Sequence, residues 1–190
     1  MDSPSAETQS GRLAAVPLPP LPQIWIGYLI SFATVISEVV AVSLHPEIAN
    51  GAEIVPPLYL FLPVFIGGVY WLVCVHQYHV LMNHLPGWQH PIPPGKAVGF
   101  HFIPFYNLYW IFQWLREIAK FVNLALRRPV MKPIVVGIAI LIALVLRFID
   151  AGLGLLLLFA ATSHVSACLR PAIAAFSAPP TAVAGPPPFS

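Results

Sequence analysis

Three groups of residues have types and spacings that could do chemistry, and all lie in or beside apolar runs. The first is Glu38, Arg147 and Asp150. A charge in hydrocarbon costs about 2.5–3.5 kcal/mol on insertion scales, so it faces protein or water. Glu38 lies about 14 residues into the first apolar run and Arg147 about 14 residues past Pro133, so at 1.5 Å per residue both stand about 21 Å up their helices. Matched depth predicts a Glu38–Arg147 ion pair. Asp150, three residues on, shares a helix face with Arg147 and would complete a triad. Such a cluster fixes helix register, or serves as a proton or ion relay, or leaves each group snorkelling to the interface.

The second group is histidine. His76, His79 and His84 close the second apolar run, and His90 and His101 follow. At roughly 100° per residue the first three spread over one broad helix face rather than converging. No His-Glu-x-x-His or Cys-x-x-Cys spacing exists, so no metal site is predicted. A single histidine on a span, His76 or His79, could ligate haem or chlorin beside Tyr70, Trp71 and Tyr78. Otherwise these are interfacial histidines bonded to water, headgroups or backbone. Ser163, His164 and Ser166 lie together, but no acid is placed to orient the histidine, so no catalytic residue is assigned and no enzyme is expected.

The third group is Pro94, Gly95, Gly99, Pro104, Asn107 and Trp110. Helix breakers alternate here with Phe100, Phe102, Phe105, Tyr106 and Tyr109. An interfacial wedge anchoring the next helix is the expectation. The alternative is a re-entrant half-helix lining a cavity, with Asn107 as its polar tip.

The elements that must position these residues follow from composition. Of the 190 residues, 58% are hydrophobic and only 8% charged, with mean hydropathy +0.80. Soluble domains carry about 25% charged residues. Too few charges remain for a water-facing surface, whereas a lipid-facing one needs none. The fold class is therefore all-α: a polytopic integral membrane bundle. Net charge is +2 with no basic stripe, which excludes a nucleic-acid partner. Cys74 and Cys168 sit in apolar runs and read as buried free thiols.

Four spans are predicted, at 24–44, 57–82, 133–149 and 151–169. The block from Pro133 to Cys168 is 36 residues long. As one helix it would reach about 54 Å, against a hydrocarbon core of about 30 Å, so it must bend where Arg147, Asp150, Gly152 and Gly154 coincide. Between spans two and three, 107–128 has Arg116, Lys120, Asn123 and Arg127 on one face and Ile111, Trp114, Leu115, Ile118, Phe121 and Val122 on the other. That pattern suits an amphipathic helix lying in the membrane interface. Residues 1–23 and 177–190 are proline-rich and read as disordered tails. Lys96, Arg116, Lys120, Arg127, Arg128 and Lys132 place the middle segment in the cytoplasm, with both termini beside it. The expected location is the cell inner membrane. In an alternative topology 97–115 crosses as a fifth span and puts the N-terminus outside.

The run Pro94-Gly95-Lys96-Ala97-Val98-Gly99, continuing through Ile103-Pro104 to Asn107 and Trp110, resembles an uncharacterised family of bacterial membrane proteins. The resemblance covers roughly Ile24 to Arg170. It implies four spans with an amphipathic helix between the second and third, and it implies no activity, substrate or cofactor. The proline-rich tails and the His76/His79 pair lie outside it. The role expected is a structural or accessory subunit packing against other membrane proteins, in an electron-transfer or photosynthetic complex. A small transporter using Glu38, Arg147 and Asp150, and a haem or pigment binder using His76 or His79, are the alternatives.

Overall fold

Proline and apolar run length set the helix ends. Ile24–Leu44 (α1) stops where His45 precedes Pro46, because the residue before proline disfavours the helical conformation. Pro46–Ala49 (α2) is one turn. Leu58–Asn83 (α3) is followed by Pro94–Gly99 (α4), a 3-10 turn at Phe100–Phe102, and Tyr106–Ala125 (α5). Pro133–Leu146 (α6) and Ala151–Ser177 (α7) complete the chain. This computed structural model describes residues 17–49 and 58–177, and every element among them is helical. α1, α3 and α7 are long and apolar enough to cross a membrane, while α6, with 14 residues, is a shorter apolar helix. At 1.5 Å per residue α6 measures about 21 Å. The turn beyond it extends its apolar reach, with Phe148 92% and Ile149 80% exposed.

α7 is the central helix and packs on α1, α3, α5 and α6. Small residues make these approaches, and that of α5 to α6, close. A Cβ at Gly67 would meet Leu155 at 2.9 Å, one at Gly137 would meet Phe112 at 2.5 Å, and one at Gly27 would overlap the Phe159 ring. Leu21–Trp25 and Ser163–Arg170 line one cleft, so the start of α1 and the later turns of α7 share an end of the bundle. Glu38 and the start of α7 meet at the other end.

The middle segment differs from expectation. Successive contacts trace its path: His90 lies against His79, His101 against Trp71, and Asn107 beside Val64. The chain thus climbs back along α3 and turns at Pro104-Phe105. It then descends as α5, bringing Trp114 to His79 and Phe121 to Trp88. The apolar face of α5 expected to meet the membrane interface is instead protein core: Ile111, Trp114, Leu115, Ile118, Phe121 and Val122 are at most 1% exposed. α6 and α7 cover it. Arg116 and Lys120 remain on its exposed side. The fifth crossing at 97–115 does not form as one helix, because the chain breaks at Ile103–Phe105.

Three further boundaries move. Within the expected N-terminal tail, residues 17–23 are ordered: Leu18 and Leu21 pack on the core, and the Gln23 carbonyl accepts a 2.7 Å hydrogen bond from the Tyr70 hydroxyl. α6 ends at Leu146 rather than 149. α7 continues past Pro171 to Ser177, where Leu169 and Ala172 are fully buried on either side of the proline. Residues 1–16 and 178–190, the remainder of the expected tails, lie outside the described residues, as do 50–57 in the first loop.

Candidate functional site

Glu38 does not pair with Arg147. Its Oε1 accepts hydrogen bonds from the backbone N–H groups of Ala151 (3.0 Å) and Gly152 (3.2 Å), and Oε2 takes a longer one from Gly152 (3.3 Å). These are first-turn donors of α7, which have no partner inside their own helix. A carboxylate there also meets the positive end of the helix dipole. Asp150 caps the same turn, its Oδ1 accepting from Leu153 N–H at 2.8 Å. Gly152 makes the approach possible, since a Cβ would sit 2.7 Å from Glu38 Oε2 and 2.5 Å from Val35. Two of the three predicted charges therefore meet, through a helix start rather than through a cation. The ion-pair expectation failed because matched depth says nothing about azimuth. Arg147 lies on the opposite flank, its Nη2 donating to the Val64 carbonyl at 3.5 Å.

Depth in the bundle is marked next by Tyr78. Its hydroxyl donates to the Thr162 carbonyl (2.8 Å) and lies 2.6 Å from Ser166 Oγ, tying α3 to α7. Sequence reasoning noted Ser166 only as part of a failed nucleophile arrangement and placed no partner on Tyr78. An aromatic hydroxyl in a span is the signal that could have found it, since a buried tyrosine O–H must find an acceptor. Ser31 and Thr34 of α1 are buried and return their hydroxyls to carbonyls four residues back.

The histidines separate by burial. His76 is exposed. His79 is fully buried, and its Nδ1 lies 2.7 Å from Nε2 of His90, so one ring donates to the other. Trp114 packs edge-on against His79, with ring centroids 6.1 Å apart. His101 contacts Trp71 edge-on at 5.1 Å and pairs its Nδ1 with the Ala97 carbonyl at 2.7 Å. Burial pulls His90 down to about 4, against a smaller upward pull from Glu117. Burial lowers His101 too, opposed by its backbone hydrogen bonds. Both rings outside the spans are thus held neutral. Of the two predicted cofactor ligands, His76 faces outward and His79 is committed to His90. Among the described residues no cluster of three or more histidine, cysteine or acidic side chains could hold a metal.

The motif segment forms the return path. Ala97 is buried, and its carbonyl also accepts the Trp110 indole N–H at 2.9 Å, joining α4 to α5. Pro94 sits in the first turn of α4. Gly95 and Gly99 have open space where a Cβ would stand. At Pro104–Tyr106 the Tyr106 N–H bonds the Pro104 carbonyl (2.7 Å) across Phe105, whose φ is +62°. That is a tight γ-type turn, strained for a bulky residue. It delivers Asn107 to the cleft that holds Arg147.

Comparison with protein-family models, with curated proteins and with solved structures finds no match. The fold and these sites define an all-α helical bundle with apolar helices suited to a membrane.

Proposed function

We propose that this chain is a non-enzymatic integral membrane protein, an accessory subunit that packs against other membrane proteins. An electron-transfer or photosynthetic complex is the setting its aromatic surface suits. The observation that supports this reading is how its intramembrane polar groups are used. Glu38 and Asp150 cap α7, Tyr78 ties α3 to α7, and Ser31 and Thr34 bond their own helix. A transporter reading calls for a polar cavity among α1, α6 and α7. The α1–α7 contact is filled where Phe159 meets Gly27 and Val35 meets Gly152, and the cleft that Glu38 and Asp150 line is otherwise walled mainly by Val35, Val39, Val42 and Leu153. What the chain offers outward is apolar: Trp25, Leu29, Phe32 and Ile36 of α1 are each more than half exposed. The positive-inside rule, applied to the basic residues at the α5–α6 junction, supports a cell inner membrane orientation with that end and both termini cytoplasmic.

Affinity purification of the tagged chain from native membranes in a mild detergent, with cross-linking before extraction, tests this. Stoichiometric co-isolation of other membrane subunits is expected. Recovery of the chain alone after efficient cross-linking contradicts it.

A further inference from the structure

We propose that the cleft between α3, α5 and α6 binds an anionic phospholipid, its phosphate on Arg147 and an acyl chain along α6. The cleft, about 450 Å³ in volume, is walled by Val64, Leu108, Leu144 and Phe148, with Arg147 and Asn107 as its polar members. The guanidinium has little else to hold. Among the described residues its one protein hydrogen bond is the 3.5 Å contact to Val64, and its Nε is buried without a partner there. Among the described residues the salt bridges are His45–Glu47 and Lys120–Glu117, and neither involves Arg147. The acids nearest in sequence and depth, Asp150 and Glu38, are spent on the start of α7. Gly68 leaves room beside both terminal nitrogens, each 3.6 Å from where a Cβ would stand.

Asn107 Oδ1, in the same cleft, is also buried without a partner. Oxygen and nitrogen of an amide are assigned rather than observed, so its N–H can be turned toward the same ligand. An arginine fork and an amide donor together match an oxyanion. A half-buried cation with no counter-charge among the described residues is unfavourable, and a phosphate offsets that penalty. The source of the oxyanion is a lipid because the rim is outward and apolar: Leu108 is 51%, Val145 61% and Phe148 92% exposed.

Native mass spectrometry of the full chain in neutral detergent, titrated with phosphatidylglycerol and phosphatidylcholine of equal acyl length, tests the site. Phosphatidylglycerol should be retained about tenfold better, because both lipids offer the phosphate but only phosphatidylcholine brings a like-charged ammonium up to the Arg147 guanidinium. Arg147→Gln should bring the two lipids to parity, and Arg147→Lys should keep part of the preference. Excess inorganic phosphate should leave the lipid bound. Should Arg147→Gln fail to fold, Leu144→Trp, which fills the cleft and keeps the charge, should lose the lipid. A wild-type chain without preference, an unchanged preference in folded Arg147→Gln, full retention in Leu144→Trp, or displacement by phosphate alone would each overturn the proposal.

Discussion

Gly27→Ala places one methyl group against the ring of Phe159, whose Cγ would lie 2.5 Å from the new carbon. Phe159 is fully buried, so its ring has no open space to enter. Either the ring leaves its rotamer or α1 moves away from α7, the helix it packs on most extensively. Inserting a methyl group into a packed core costs about 1–3 kcal/mol, and the upper part of that range is expected where both sides are rigid. Phe159→Leu alone should cost less than the roughly 3–5 kcal/mol of full truncation to alanine. Combined with Gly27→Ala it should recover part of the loss, with a favourable coupling of about 0.5–3 kcal/mol. The assay uses the chain's own thiols: Cys74 is fully buried and Cys168 is 5% exposed. A thiol-reactive fluorogenic dye therefore reports unfolding in detergent as temperature rises. Wild-type stability in Gly27→Ala, or simple additivity in the double variant, would refute the claim that this glycine sets the α1–α7 approach.

Other expectations rest on the remaining contacts. Glu38→Ala removes the acceptor for two N–H groups at the start of α7 and should cost about 0.5–2 kcal/mol, whereas Glu38→Gln, which keeps an acceptor oxygen, should cost less; the same thermal dye assay separates them. His90, held at about 4 by burial against an ordinary 6.5, favours its neutral form in the folded state. Its contribution is complete above pH 6.5 and is lost as pH falls from there toward 4, because the unfolded chain then binds the extra proton. His79, His101 and Glu117 face the same cluster, so melting curves from pH 7.5 to 5 should fall in wild type and fall less in His90→Gln. Phe105→Gly relieves the positive φ of an 88% exposed residue, worth about 1–3 kcal/mol, against about 0.5–1 kcal/mol for glycine's added unfolded-state entropy, so a net rise in melting temperature is expected; a lowered melting temperature would contradict a strained turn.

The spans were readable because lipid demands long apolar runs, and α1 begins and ends where hydropathy and Pro46 place it. The bend between α6 and α7 was readable too, since charges and glycines coincide there. The role of Glu38 was not. Opposite charges suggest each other, but its partners are backbone N–H groups present in every sequence. Asp150 directly before an apolar helix was the available sign of a helix start. Burial of α5 was illegible for a different reason: an amphipathic pattern shows that one face is apolar and does not say whether lipid or protein covers it. The His79–His90 contact needed the chain to return along α3, a path set by Phe105 adopting a conformation that phenylalanine rarely takes.

Substituted-cysteine labelling of α1 is the most direct measurement of whether the interior holds helices together or conducts. Ser31 is fully buried, lies four residues from both Gly27 and Val35, which meet α7, and is nearly isosteric with cysteine. In proteoliposomes, Ser31→Cys should stay unreactive to a charged, membrane-impermeant thiol reagent, while Lys120→Cys on the exposed side of α5 reacts quickly. Rapid labelling of Ser31→Cys would place water between α1 and α7 and contradict a bundle closed by packing at that contact.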